Sequence, residues 1–144
     1  MQKKIKQGIL VGAMVGCFHV LPAFAVCPPG TVPSNPAPKA QAESLAQFFA
    51  NFTRHEEETQ TVTLKKGQHY WFAANGCPRM GQIGISMLDS KGKVMKKAQA
   101  SSPSFCFTAP RDGEYIVKVK AISLRGSNTF GGIDAQLSES GCRN

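Results

Sequence analysis

The sequence predicts a mainly β protein: an antiparallel β-sandwich, jelly-roll-like, with one short N-terminal amphipathic helix. From Thr59 onward, short runs of β-branched and aromatic residues alternate apolar with polar positions, and turn residues separate them at roughly ten-residue intervals. Ahead of the strands, Leu45, Phe48, Phe49 and Phe52 recur at the i, i+3, i+4, i+7 spacing of one apolar helix face. Once the N-terminal export segment is removed about 119 residues remain, enough for one domain with a single core.

Residues 1–25 read as a secretory signal peptide. Lys3, Lys4 and Lys6 form its basic start, Gly8 to Leu21 its apolar run, and Ala23-Phe24-Ala25 a small-x-small cleavage site, so the mature chain begins at Val26. Met14-Val15-Gly16-Cys17 also has the shape of a lipoprotein box, in which Cys17 is acylated and becomes the N-terminus. The continuing apolar run favours the cut after Ala25. Neither route leaves a spanning helix, because an apolar run of about 14 residues falls short of the roughly 18 to 20 required. Contact with a membrane therefore depends on lipidation at Cys17.

Residues 26–39 hold five prolines after Cys27 and read as an extended leader. The domain proper spans residues 40–144 and opens with the helix. Val62 and Leu64 alternate with threonines before the Lys65-Lys66-Gly67-Gln68 turn. His69 to Ala74 resumes as an aromatic strand whose alternation sends Tyr70 and Trp71 to opposite faces. Ile83, Ile85 and Met87 run into the Asp89-Ser90-Lys91-Gly92 turn, and Val94 and Met95 begin the return. Phe105 and Phe107 flank Cys106 on a strand that Pro110 closes. After Arg111-Asp112-Gly113, Tyr115, Val117, Val119 and Ala121 mark the clearest two-residue period in the chain. A last strand runs from Phe130 to Leu137.

An exported chain enters an oxidising compartment, where cysteines are read first as staples. Cys27, Cys77, Cys106 and Cys142 survive either cleavage, and four cysteines allow three pairings. The preferred one joins Cys77 with Cys106, both on strands of the folded body, and Cys27 with Cys142. Without a Cys-x-x-Cys pair no metal is expected.

The segments Val62 to Phe72, Ile85 to Gly92 and Phe105 to Val119 together resemble bacterial pre-peptidase C-terminal domains and related GOLD-like or CUB-like extracellular sandwiches. The resemblance covers roughly residues 59 to 122 and rests on turn motifs: Leu64-Lys65-Lys66-Gly67, Asp89-Ser90-Lys91-Gly92, and Phe107-Thr108-Ala109-Pro110 leading to Gly113 and Tyr115. It implies a jelly-roll-like, non-enzymatic binding or accessory module. The acidic calcium-binding cluster of some such domains is not visible, so no cofactor is carried over.

No catalytic motif is present. His55-Glu56-Glu57-Glu58 lacks the His-Glu-x-x-His spacing that puts two imidazoles on one helical face, and it reads as a solvated charge run; His69 opens an aromatic strand. The chain carries a net charge of +8, with 17 basic and 9 acidic residues; losing the three signal lysines leaves 14 against 9, or +5. A modestly basic exported domain without aromatic-basic patterning argues against nucleic acid and fits an anionic envelope component such as a glycan or lipid head group, or a protein. Lys91, Lys93, Lys96 and Lys97 cluster on one hairpin, as a contact for such a surface or as protection of an edge strand. Tyr70 and Trp71 offer the other possible contact.

These features predict a periplasmic or secreted binding module of the bacterial envelope. The alternatives are a periplasmic inhibitor or immunity protein of a cell-wall hydrolase, with Asn75 to Gly81 as a protruding plug, and a lipid-anchored subunit of an envelope or secretion assembly.

Overall fold

The structure, a computed structural model, describes residues 44–139 and Cys142. The signal segment, the proline-rich leader, Cys17 and Cys27 lie outside the described residues. Eight strands follow in order: β1 (Ser44–Thr53), β2 (Glu57–Leu64), β3 (His69–Gly76), β4 (Ile83–Asp89), β5 (Val94–Ala100), β6 (Ser104–Thr108), β7 (Gly113–Ala121) and β8 (Phe130–Glu139).

They form two four-stranded antiparallel sheets, β1-β8-β3-β6 and β2-β7-β4-β5. Only β4 and β5 are joined as a hairpin within one sheet; every other connection crosses to the opposite sheet. This is the strand order of a jelly roll, two Greek keys folded over one core.

The core is the inner face of both sheets. Phe48, Phe52, Tyr70, Phe72, Ile133 and Leu137 come from the first, and Leu64, Ile83, Ile85, Met87, Tyr115 and Val117 from the second, all buried. Phe107 and Tyr115 meet edge to face across the sandwich with centroids 5.6 Å apart, and Phe72 and Phe105 do the same within one sheet at 5.6 Å. Both buried tyrosines find partners for their hydroxyls. Tyr70 Oη accepts from Lys65 N at 2.8 Å and donates to Gln68 Oε1 at 3.1 Å, while Tyr115 Oη donates to Arg111 O at 3.0 Å.

The expected helix over Leu45 to Phe52 is instead an edge strand, β1, paired with β8. Phe48 and Phe52 are four apart, a spacing that a helix face and a strand face share. The deciding residues are Ala46, buried two positions before Phe48, and Phe49, which is 64% exposed. A helix would have turned Phe49 inward beside Phe48; the two-residue period turns it out.

The preferred disulfide pairing is also corrected. Cys106 bonds Cys142, with 5.9 Å between their Cα atoms. The β3–β6 register sets Cys106 opposite Trp71, and Cys77 lies six residues beyond Trp71. At strand rise that is about 20 Å, far past the ~7 Å that a disulfide spans. Cys77 is disulfide-bonded as well, to a partner outside the described residues.

Candidate functional site

On the outer face of the β2-β7-β4-β5 sheet the two outward residues of mid-β4 are small, Gly84 and Ser86. Their register neighbours are long. Gly84 lies between Lys120 of β7 and Gln99 of β5, and Ser86 between Lys118 and Lys97. Small residues on one strand flanked by long ones on both sides make a trough, here about 290 Å³, with Lys118, Lys120 and Ile122 along one wall and Lys97 and Gln99 along the other.

The trough is electropositive, with one partial counterweight. Glu57, opposite Lys120 on the neighbouring strand, accepts a hydrogen bond from Lys118 Nζ at 2.9 Å and lies 3.7 Å from Lys120 Nζ. The hydrogen bond from Lys118 holds the Glu57 carboxyl below its usual range, against a smaller opposing effect of burial. Three ammonium groups face one carboxylate, so the site attracts oxyanions. The trough supplies charge from its lysines and neutral hydrogen-bonding groups from Ser86 and Gln99.

The hairpin lysines do not act together. Lys97 enters the trough, whereas Lys96 is paired with the core residue Met87 and points to the other side of β5, where its Nζ donates to Cys106 O at 2.6 Å and lies 6.0 Å from the Phe105 ring. Lys91 and Lys93 are exposed at the hairpin tip, where their backbone N–H groups bond Asp89. Tyr70 is core. Trp71 is half-buried on the outer face of the other sheet, beside a shallow depression of about 180 Å³ shared with Ala73, Asn75 and Pro103.

The segment Asn75 to Gly81 is not a protruding plug. Asn75 and Gly76 end β3, and the turn that follows is bonded down: Cys77 N to Gly132 O at 3.0 Å, Gly81 N to Ser123 O at 2.9 Å, and Arg125 N to Arg79 O at 2.9 Å. Met80 points inward and is buried, and a side chain on Gly76 would collide with its Cβ at 2.6 Å. What this end of the sandwich does present is Arg79, stacked 5.1 Å over Phe130, and exposed Arg125. Among the described residues neither arginine has an ion-pair partner.

The His55-Glu56-Glu57-Glu58 run divides its roles. Glu56 Oε2 accepts from Thr53 N at 2.6 Å and Thr53 Oγ1 at 2.9 Å, closing the β1–β2 turn, while Glu57 sits at the trough. His69 Nδ1 lies 2.8 Å from Thr108 Oγ1 on the neighbouring strand. No group of three His, Cys, Asp or Glu side chains among the described residues could hold a metal. Sequence reading missed Gly84, Ser86, Glu57, Lys118 and Lys120. The two-residue period of β7 showed that its lysines face away from the core, but nothing local showed which strand lay beside them.

No family model matches the chain, and no curated protein matches it. Among solved structures it is similar to PliG of Aeromonas hydrophila, a periplasmic inhibitor of g-type lysozyme, at 15% identity and a TM-score of 0.53, covering 69% of this chain and 89% of that one. A CBM4 structure matches at 14% identity and a TM-score of 0.43, covering 69% and 78%. TmCBM61, solved in complex with β-1,4-galactotriose, matches at 18% and 0.42, covering 64% and 70%. At these identities the likeness is one of fold. The chain is a β-sandwich with jelly-roll strand order, and the pre-peptidase, GOLD and CUB families are not identified.

Proposed function

We propose that this protein is a non-catalytic binding module exported to the bacterial envelope, and that it binds an anionic partner through the outer face of the β2-β7-β4-β5 sheet. The observation that carries the reading is the trough in which Lys97, Lys118 and Lys120 surround Gly84 and Ser86. The Cys106–Cys142 disulfide and the signal-like N-terminus support export, since such bonds persist in oxidising compartments. Titration of the exported protein with sodium polygalacturonate and, separately, with polyphosphate tests it. Binding should weaken with added salt, and Lys97→Gln with Lys118→Gln should weaken it about tenfold through the lost charge contacts. If neither polyanion binds at low ionic strength, the reading fails. Intact mass decides the mode of export: a start at Val26 supports a free periplasmic or secreted protein, and a diacylglyceryl mass on Cys17 supports an anchored one.

The arginines at the loop end favour a second reading, inhibition of a cell-wall hydrolase. Arg79 and Arg125 would oppose the paired carboxylates such enzymes use, which lie only some 5 to 10 Å apart. In that case excess protein suppresses lysis of a cell-wall suspension by g-type lysozyme, and Arg79→Ala with Arg125→Ala restores it. Undiminished lysis counts against this reading.

A further inference from the structure

Gly84 is anomalous in its strand. It sits inside β4 with β7 on one side and β5 on the other, and its backbone is not in the left-handed region that calls for glycine. Glycine in a strand interior weakens it and marks a place where another group approaches closely. A Cβ at this position would meet Ile122 Cδ1 at 3.2 Å and Cγ1 at 3.5 Å, so the close group is Ile122, and a larger residue would push that side chain into the trough.

The charges around that floor have a spacing. Lys118 and Lys120 lie two residues apart on β7, about 7 Å along the strand, and Lys97 faces Lys118 across β4, about 9.5 Å away at two strand spacings. Gln99 occupies the fourth corner, its Nε2 donating to Gln82 Oε1 at 2.6 Å. Neutral hydrogen-bonding groups, Ser86 and Gln99, are thus interleaved with the cations. Among the described residues no aromatic side chain lines the trough, so none of them offers a ring on which a neutral sugar could stack.

Resting on the reading that this face binds anions, we infer that the trough takes an unbranched acidic polysaccharide lying along β4. Its carboxylates meet Lys97, Lys118 and Lys120, its hydroxyls meet Ser86 and Gln99, and Gly84 is the specificity-determining residue because a side chain there would push Ile122 into the path of the chain. Charge alone would make any polyanion a ligand; the glycine floor adds a requirement of shape.

Calorimetric titration of the exported protein with oligogalacturonate, a neutral galactan of equal length and anionic phospholipid vesicles tests this. Oligogalacturonate should bind and the galactan should not. Gly84→Val, which changes no charge but must displace the Ile122 side chain, should leave the sheet folded by circular dichroism yet weaken binding about tenfold or more. Gly84→Ala adds one methyl and should give a smaller loss, which keeps the test open if the valine variant does not fold. Glu57→Gln removes the carboxylate that competes for Lys118 and Lys120 and should tighten binding about threefold or more. Lys65→Gln with Lys66→Gln, a charge-matched control in the β2–β3 turn, should leave it unchanged. Equal binding by the wild type and a folded Gly84 variant overturns the trough assignment while leaving anion binding standing. Binding to vesicles or polyphosphate but not to oligogalacturonate overturns the ligand class. Absence of all polyanion binding removes both this inference and the function it rests on.

Discussion

Asp89 Oδ1 accepts hydrogen bonds from the backbone N–H groups of Lys91 and Lys93, each at 2.9 Å, and Oδ2 lies 3.8 Å from the Arg111 guanidinium. The Lys93 N–H contributes most to holding the carboxyl below the usual aspartate range, burial opposes it, and the Lys91 N–H and Arg111 add to it. Because the folded-state value is lowered, the stabilisation is fully present above the unfolded value near about pH 3.9 and is lost as pH falls through the folded one. Glu56 and Glu57 are shifted in the same direction, by Thr53 and Lys118, so all three contribute to the acid limb. Asp89→Asn should lower the urea midpoint at neutral pH and flatten its fall below about pH 4, measured by fluorescence-detected unfolding across the acid range. An unchanged slope would show that the carboxylate is not what holds the turn. Asp89 was legible as a turn residue because its bonds close within four positions. Glu57 was not, because Lys118 lies 61 positions away and only the β2–β7 register brings them together.

β1 carries the lesson of the element scale. Its phenylalanines satisfy a helical period, and its alanines are too small to announce the strand period that burial then reveals. Strands with residues bulky on one face and polar on the other, such as β7 with Tyr115, Val117 and Val119 inward, were readable from alternation alone. What alternation could not show is how the sheet edges are closed. A four-stranded sheet has two edge strands, and here one side chain bridges each open side of the sandwich. Gln60 Nε2 of β2 donates to Gln47 O of β1 at 3.0 Å, and Lys96 Nζ of β5 donates to Cys106 O of β6 at 2.6 Å. Unpaired edge groups are templates for another chain, and an inward-pointing lysine at an edge blocks such pairing. Lys96→Ala should therefore raise self-association, seen as a concentration-dependent shift in light scattering, whereas Lys97→Ala should not. If the two variants behave alike, net charge rather than edge closure is responsible.

At the scale of the whole molecule, a jelly roll pairs its first strand with its last, β1 with β8, and inserts the chain between them into both sheets. The sequence could show that strands exist but not this order, since order is fixed by long-range pairing and leaves no local period. The same gap explains the disulfide error: both expected partners were placed correctly in the folded body, but their positions along neighbouring strands depended on the β3–β6 register. Corrected, the covalent plan has a simple logic. Cys106–Cys142 ties the segment after β8 to the edge strand β6, closing a loop with a separation of 36 residues; chain entropy makes such a closure worth about 3 to 4 kcal/mol. Cys106→Ser with Cys142→Ser should lower stability by about that amount, less any relief of native strain. Cys77 is bonded too, and with Cys106 and Cys142 joined to each other, the export reading predicts Cys27 as its partner, since that reading has Cys17 either removed or acylated. Tryptic digestion without reduction should then yield two linked pairs, residues 26–39 (17–39 if the chain starts at Cys17) with 67–79 and residues 98–111 with 126–143. The first link would fasten the proline-rich leader to the turn after β3, at the arginine-bearing end of the sandwich. Peptide 67–79 joined to 98–111 would overturn this plan, and with it the attachment of the leader at the arginine-bearing end.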